Sequence, residues 1–320
     1  MVKKLELSSK TQPDVEPKRI DSSELTDPPA LSRQNTRAVK KFYKAIEVRC
    51  KDFNESSYTE SILVTLQNLT SVCPYILRFY GLSKVDTRDV MVFEWAEYGS
   101  LKDIYEGYYI PWHRKIQIIR DICCGLVFLR NSDLFHHDLR CENVLMTRNL
   151  EPKLGNFKYA RKKGAETKNL SNVVKIIYNW MAPELIKKYM DEKYKENVYT
   201  FNCEMFSFGM LFWELCYEKS PYKNWNPEKI SRQVLSGNRE KLVRGKFVNT
   251  EDKEIQEEFI TLIAKMWKQI PEQRIEIQKL HSKLEELASS YPIRVEDPML
   301  LKDGSYNFEV EEEEITSINL

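Results

Sequence analysis

Two polar side chains in one short stretch have residue types that could do chemistry. Residues 136–146 read His-His-Asp-Leu-Arg-Cys-Glu-Asn-Val-Leu-Met, which places the acid Asp138 shortly before the amide Asn143. A carboxylate can accept a proton, and an amide oxygen can bind a hard cation. Alone, Asp138 could equally be a turn residue or a cap, and Asn143 an ordinary loop amide. Whether Asp138 and Asn143 take part in chemistry depends on whether the rest of the chain supplies the other groups that such chemistry requires.

The composition limits the class of protein. The 320 residues suffice for one large domain or two modest ones, and 42% hydrophobic residues suffice for a sizeable core. A formal net charge of +1 does not indicate a nucleic-acid or membrane-surface partner. The seven scattered cysteines have no zinc-like spacing and indicate a reducing compartment. The N-terminus has no apolar signal region, and the most apolar segment, 205–216, is shorter than the ~20 residues that span a bilayer. We therefore predict a cytoplasmic protein without a membrane span.

The first part of the chain is predicted to be a small, sheet-rich unit with one helix. Within it, Ile46, Val48 and Cys50 alternate with charged residues, which is the pattern of a half-buried strand. The predicted elements are a flexible tail over 1–20, a proline-containing loop over 21–31, strands over 37–43 and 46–53, a helix over 56–69, and strands over 75–83 and 90–95.

After residue 100 the pattern becomes helical. Pro111 is suited to the first turn of an amphipathic helix that continues to Leu129. The run 205–216 is apolar nearly all round, which predicts a buried central helix. Further helices are predicted over 255–267 and around Leu280, Leu284 and Leu287, and an acidic tail is predicted over 291–320.

Taken together, these segments resemble the protein kinases, because several separated motifs occur in the expected order. The opening stretch resembles the catalytic loop H-R-D-L-x-x-x-N, with His137 in place of the arginine. The other matching segments are Val48-Arg49-Cys50-Lys51 for V-A-I-K, Gly155-Asn156-Phe157-Lys158 for the D-F-G region, Trp180-Met181-Ala182-Pro183-Glu184 for A-P-E, and Pro271 to Arg274 for the late arginine. The sequences of residues 180–184 and 206–215 are most similar to those of tyrosine-kinase and tyrosine-kinase-like members.

The resemblance covers about residues 20–290 and implies a fold. That fold is α+β and bilobal, with a small antiparallel-sheet N-lobe over 21–96 and a larger, mainly α-helical C-lobe over 97–290.

The resemblance also implies roles in phosphoryl transfer from ATP with Mg²⁺, a reaction that needs alignment and charge neutralisation. Asp138 would accept the proton of the substrate hydroxyl, and Lys51, held by Glu60, would bind the phosphates. Asn143 and, more weakly, Asn156 would ligate Mg²⁺. The implied nucleotide-binding set is Lys51, Glu60, Val39, Glu94, Ala96 and Leu145, with Phe93 at the back of the pocket. The implied structural residues are His136, Phe157, Glu184 and Arg274.

Three departures from the family pattern argue against tight binding of ATP and Mg²⁺. Residues 21–44 contain no glycine, so no register supplies a glycine-rich loop. With Val39 as the last residue of that motif, the glycine positions hold Ser32, Gln34 and Arg37. Asn156 replaces the D-F-G aspartate and lacks its charge, and Arg49 replaces the small alanine that lies against adenine in the family. Lys158, in place of the D-F-G glycine, could offset phosphate charge or point to solvent.

Two further departures concern regulation by the activation loop and support of the catalytic loop. His137 replaces the arginine that pairs with a phosphorylated activation loop in the family, so activation by loop phosphorylation is not expected. Thr167, Ser171 and Tyr178 remain as candidate acceptors. Glu204 replaces the aspartate that braces the catalytic loop and is one methylene longer.

The sequence therefore supports two main hypotheses. The first is a pseudokinase that acts by binding or regulation in intracellular signalling, with protein partners of unknown identity. The alternative is an active, atypical kinase that phosphorylates Ser, Thr or Tyr hydroxyls, because Lys51, Glu60, Asp138 and Asn143 are all present. A non-kinase helical adaptor would require the ordered motifs to be a coincidence.

Overall fold

The computed structural model describes residues 16–28, 39–53, 60–164, 177–190, 199–294 and 300–302. The chain divides into two compact units. The smaller unit comprises residues up to 72 together with 78–95, and the larger unit comprises 73–77 and everything from residue 96 onward. The predicted α+β class, with a small antiparallel-sheet unit and a larger helical unit, is confirmed.

The smaller unit is built on a five-stranded antiparallel sheet. Its elements are β1 (Leu25–Thr26), β2 (Val39–Tyr43), β3 (Ile46–Asp52), the helix α1 (Glu60–Thr70), β4 (Phe79–Val85) and β5 (Arg88–Glu94). The strand order is β1-β2-β3-β5-β4. The alternation predicted for β3 is confirmed: Val48 and Cys50 face an apolar core with Val90 and Val92, whereas Arg49 and Lys51 are half-buried on the other face.

A segment before the sheet covers the edge of β4. The amide of Leu82 donates to the carbonyl oxygen of Lys18 at 2.8 Å, and the amide of Ile20 donates to the oxygen of Leu82 at 2.7 Å. Gly81 makes this close approach possible, because a Cβ there would lie 2.3 Å from the Lys18 oxygen and its φ of +142° disfavours L side chains. Ile20 is buried in the sheet's core, so the packed unit begins before the predicted tail boundary at residue 20.

The larger unit is organised around a buried helix. Its helices are α2 (Leu101–Gly107), α3 (Trp112–Asn131), α4 (Pro183–Met190), α5 (Phe201–Tyr217), α6 (Pro227–Leu235), α7 (Thr250–Met266) and α8 (Ile277–Ser290). Helix α5 is buried nearly all round, as its composition predicts. Gly209 on α5 lets α7 approach closely, since a Cβ there would lie 2.9 Å from Cβ of Met266.

Short strand pairs connect these helices. They are β6 (Tyr108–Tyr109), β7 (Leu134–Phe135), β8 (Val144–Met146), β9 (Pro152–Leu154), β10 (Arg161–Lys162) and β11 (Leu301–Lys302), which pair as β6 with β11, β7 with β10, and β8 with β9. Because β11 pairs with β6, part of the predicted C-terminal tail is attached to the larger unit. No helix among the described residues is long and apolar enough to cross a bilayer.

The predicted helices over 111–129, 205–216 and 255–267 and around Leu280 are all present, with ends shifted by a few residues. The predicted strand over 75–83 begins only at Phe79, because residues 73–77 belong to the larger unit, where Leu77 donates to Leu154 at 2.8 Å. The acidic run from Glu309 lies outside the described residues.

Candidate functional site

The stretch 136–143 is held between β7 and β8. It ends in a 3₁₀ turn over Cys141–Asn143, after which β8 pairs with β9 and the chain returns to Gly155 and Asn156. The amide of Gly155 donates to the carbonyl oxygen of Asn143 at 2.9 Å. This hairpin is the reason that Asn143 and Asn156, separated in sequence, lie side by side.

Glu204, on the first turn of α5, fixes the backbone of this stretch. Its carboxylate accepts the backbone amide of His136 at 3.0 Å and that of His137 at 2.7 Å. The hydroxyl of Tyr199 donates to the same carboxylate. All these groups are buried, so the longer side chain of glutamate still braces the loop.

The two histidines of the loop are neutral. His136 contacts the carbonyl oxygen of Gly155 through Nε2 at 2.8 Å; because a carbonyl only accepts, Nε2 carries the proton. The ring of His136 packs on Phe157 at 4.7 Å and that of His137 on Tyr199 at 3.9 Å between centroids. Burial lowers the pKa of His136, and burial lowers the pKa of His137 far below its ordinary value. His137 therefore does not supply the positive charge that an arginine would place here.

Asp138 is held by a cation from its own loop. Its Oδ1 accepts Nε of Arg140 at 2.9 Å, and Arg140 also donates to Glu142 at 2.7 Å. Burial raises the pKa of Asp138, and the charge of Arg140 opposes that rise. The rise outweighs the effect of Arg140, so Asp138 keeps the basicity of a buried carboxylate. The ion pair with Arg140 nevertheless occupies one of its two oxygens, Oδ1.

Asn143 and Asn156 hydrogen-bond to each other in a fixed order. Nδ2 of Asn143 donates to the carbonyl oxygen of Asp138 at 2.7 Å, so Oδ1 of Asn143 must be the acceptor for Nδ2 of Asn156, also at 2.7 Å. A divalent ion would need that Oδ1 and a second oxygen at position 156. The arrangement places an N–H group where the second oxygen would be. The two amides therefore do not fit Mg²⁺ in this conformation.

In the smaller unit, Lys51 lies on a face of the sheet that carries charges of both signs. Lys40 of β2 forms an ion pair there with Glu47 of β3 at 2.7 Å. Arg49 is two residues from Lys51 on β3, and Lys40 lies directly across from Arg49. Residues paired across antiparallel strands point to the same face, so Lys40 shares this face with Arg49 and Lys51. Val39 pairs with Cys50 and packs into the apolar core on the opposite face. Val39 thus lies on the sheet face opposite Lys51, and its implied contact with a nucleotide stays a prediction.

The remaining implied nucleotide contacts are distributed over both units. Glu94 ends β5, where its amide donates to the oxygen of Arg78 at 2.9 Å, and Phe93 is buried. Leu145 is buried on β8, and Ala96 is buried at the start of the larger unit's main segment. Glu60 begins α1, and its side chain lies outside the described residues, as do Ser32, Gln34 and Arg37.

Glu184 and Arg274 form a bidentate ion pair with both N–O distances at 2.7 Å. Arg274 also donates to the carbonyl oxygens of Asn202 and Lys268. Its side chain is fully buried, so all its positive charge is neutralised inside the protein.

Two side chains outside the catalytic stretch bear on regulation. Lys158 is exposed, as expected for a side chain that points to solvent. Tyr178 is buried and its hydroxyl hydrogen-bonds to that of Ser231, so in this structure it is not an accessible phosphate acceptor. Thr167 and Ser171 lie outside the described residues.

Sequence reasoning missed Arg140 and Tyr199. Arg140 follows Asp138 by two residues in a loop, and that spacing of opposite charges was a usable signal. Tyr199, which contacts both His137 and Glu204, had no sequence signal, because only the fold brings it to the loop.

A comparison with family models matches the description "Protein tyrosine and serine/threonine kinase" over residues 32–284. The chain belongs to the protein kinase family. Among curated proteins, the kinase domain is 26% identical over 267 residues to a probable LIM domain-containing serine/threonine-protein kinase of Dictyostelium discoideum, covering 81% of this chain and 26% of that protein. It is 24% identical over 272 residues to the BDNF/NT-3 growth factors receptor of Gallus gallus, covering 80% and 30%. It is 27% identical over 256 residues to mitogen-activated protein kinase kinase kinase 7 of Drosophila melanogaster, covering 76% and 34%.

The chain thus aligns with about a third or less of the length of these three relatives. One of the three is named a probable serine/threonine-protein kinase, and another a growth factors receptor. Membership of the family is consistent with the order of the motifs and with the two units of the fold. Protein kinases generally use ATP and Mg²⁺.

Proposed function

We propose that this kinase domain is a pseudokinase, which acts in intracellular signalling by binding or regulating other proteins and transfers phosphate weakly or not at all. The observation that carries the proposal is the hydrogen bond from Asn156 to Oδ1 of Asn143. In a kinase, the residues at these two positions present oxygens to Mg²⁺. Here the two side chains hydrogen-bond to each other, so the folded loop does not need a cation between them.

Two other features support this proposal. Arg140 occupies Oδ1 of Asp138, the carboxylate that would accept the substrate proton. Arg49 adds a long cation to the face that carries Lys51, where the family has a small residue. Together with the absence of glycine between residues 21 and 44, these features act against the same step, the alignment of a metal-bound nucleotide.

Thermal unfolding of the purified chain with ATP, with and without Mg²⁺, tests the proposal. We expect no Mg²⁺-dependent stabilisation by ATP. An increase in Tm that requires both ATP and Mg²⁺ would contradict the pseudokinase assignment, because it would show that the loop assembles a metal–nucleotide site.

The second candidate function is an active, atypical protein kinase. It is favoured by Asp138, Asn143 and Lys51, which are all present, and by Glu204, which holds the loop backbone. If this function is correct, Asp138→Asn abolishes autophosphorylation of the purified chain. Label incorporation that is equal in the wild type and in this variant would instead come from a contaminating kinase.

A further inference from the structure

Three metal-ligating side chains meet on the larger unit between α3 and α8. Sγ of Cys124 lies 3.3 Å from Nε2 of His281, and that nitrogen lies 3.6 Å from Oε1 of Glu285. All three atoms lie within 4.8 Å of one another. We refer to these residues as the α3–α8 cluster. None of them belongs to the catalytic stretch.

Two of the three ligand-to-ligand distances in the cluster match those of a zinc coordination tetrahedron. Bond lengths of about 2.3 Å to sulfur and about 2.0–2.2 Å to nitrogen or oxygen give ligand-to-ligand distances of roughly 3.3–3.6 Å. The distances from His281 to Cys124 and to Glu285 fall at these values. The Glu285 side chain is half-exposed and can rotate to shorten its distance to the sulfur. His281 and Glu285 are one helical turn apart, so α8 presents both from the same face.

We propose that the α3–α8 cluster binds one Zn²⁺ ion through Cys124, His281 and Glu285, with water as the fourth ligand. Thiolate, imidazole and carboxylate are the donor types that Zn²⁺ takes in proteins, and three protein ligands with one open position is a known zinc arrangement. Binding forms the Zn–S bond while the thiol proton leaves to solvent. Nε2 of His281 supplies its lone pair, and the ring proton stays on Nδ1.

The groups around the cluster leave the ligands available. Arg120 approaches Glu285 at 3.8 Å, but its guanidinium donates to Asp121 at 3.1 and 2.9 Å, so Glu285 is its weaker partner. Burial raises the pKa of the Cys124 thiol to about 11, so Zn²⁺ must displace the proton from the sulfur when it binds. Cysteine spacing did not indicate this site, because Cys124 and His281 are 157 residues apart in sequence.

The experiment uses the full chain without a histidine tag, stripped with a chelator and titrated with ZnCl₂ by calorimetry and with CoCl₂ by absorption spectroscopy. We expect one equivalent of Zn²⁺ and a thiolate-to-cobalt charge-transfer band. Cys124→Ser should abolish the band, and His281→Gln should weaken Zn²⁺ binding by at least about tenfold.

His113→Gln is the matched control, because His113 also contacts a glutamate, Glu251 at 3.3 Å, with no cysteine beside it. This variant should bind Zn²⁺ as the wild type does. If Cys124→Ser does not fold, the Zn²⁺ affinity of His281→Gln tests the proposal instead. This variant is expected to fold, since His281 lies near the surface. The proposal is overturned if Zn²⁺ does not bind, if the cobalt band is absent, or if the His281 variant binds as tightly as the control. Any of these results would leave the contact as an ordinary thiol–imidazole hydrogen bond.

Discussion

The substitution Asn156→Asp tests whether the amide pair replaces a metal ion. It exchanges the N–H donor that lies 2.7 Å from Oδ1 of Asn143 for a carboxylate oxygen. Asn143 cannot turn its own donor toward the new oxygen, because Nδ2 is already bonded to the carbonyl of Asp138 at 2.7 Å. Two oxygens with no proton between them then face each other in a partly buried site, where Asn143 is buried and residue 156 is half-buried.

The expected magnitude follows from the lost hydrogen bond. Losing the bond and leaving the buried acceptor unsatisfied costs about 1–3 kcal/mol, to which the repulsion between the oxygens adds. At roughly 2–4 °C per kcal/mol for a unit of this size, Tm should fall by about 2–12 °C in a chelating buffer. Both Asn and Asp tolerate the left-handed backbone at this position, where φ is 62°, so backbone strain does not contribute.

Millimolar Mg²⁺ should restore part of the lost stability, because a cation between the introduced carboxylate and Oδ1 of Asn143 removes the repulsion. The assay is thermal unfolding with EDTA and with MgCl₂, for the wild type, for Asn156→Asp and for Asn156→Gly. Glycine at position 156 removes the same donor without adding charge, so this variant should be destabilised and insensitive to Mg²⁺. The reasoning is refuted if the aspartate variant is as stable as the wild type in EDTA, or if Mg²⁺ shifts all three proteins equally.

Three further predictions concern other parts of the molecule. Arg274→Met should lower the free energy of unfolding by about 3–5 kcal/mol, since it leaves the partly buried carboxylate of Glu184 without its partner; a urea titration that shows less than about 1 kcal/mol would contradict this. Burial lowers the pKa of His137, so below about pH 6.5 the unfolded state binds more protons than the folded state and stability falls as pH falls. His137→Asn should therefore reduce the pH slope of unfolding by up to about 1.4 kcal/mol per pH unit, and an unchanged slope between pH 6.5 and 5 would contradict this. Gly81→Ala should detach the preceding segment, so the amide that bonds to the Lys18 oxygen should exchange faster with deuterium while exchange in the larger unit stays the same.

The long elements of the fold could be predicted because their patterns are strong. The central helix α5 is apolar nearly all round, and the middle of β3 alternates between buried Val48 and Cys50 and half-buried charged residues. Helices α2, α4 and α6 span only seven to nine residues each and were not predicted. Such short helices depend on capping and on contacts with distant residues, as with the capping box of Ser100 and Asp103 at the start of α2.

The residues of the candidate site could be predicted from the sequence, but the hydrogen bonds between them could not. The ordered motifs identified Asp138, Asn143 and Asn156 as one group. They did not reveal that Asn156 donates to Asn143 or that Arg140 holds Asp138, because the direction of a hydrogen bond depends on local geometry. The position of Val39 on the face opposite Lys51 was also not evident from the motifs, since one residue of register decides which face of a sheet a side chain occupies.

The segment that lies along β4 limits how this protein can form complexes. An uncovered strand edge offers a row of backbone groups to any chain that can add a strand, which is a common route to both recognition and aggregation. At Leu82 that row is already bonded to Lys18 and Ile20. A partner could extend the sheet here only by displacing residues 18–20, and a truncated chain that begins after them would expose the edge and be more prone to self-association.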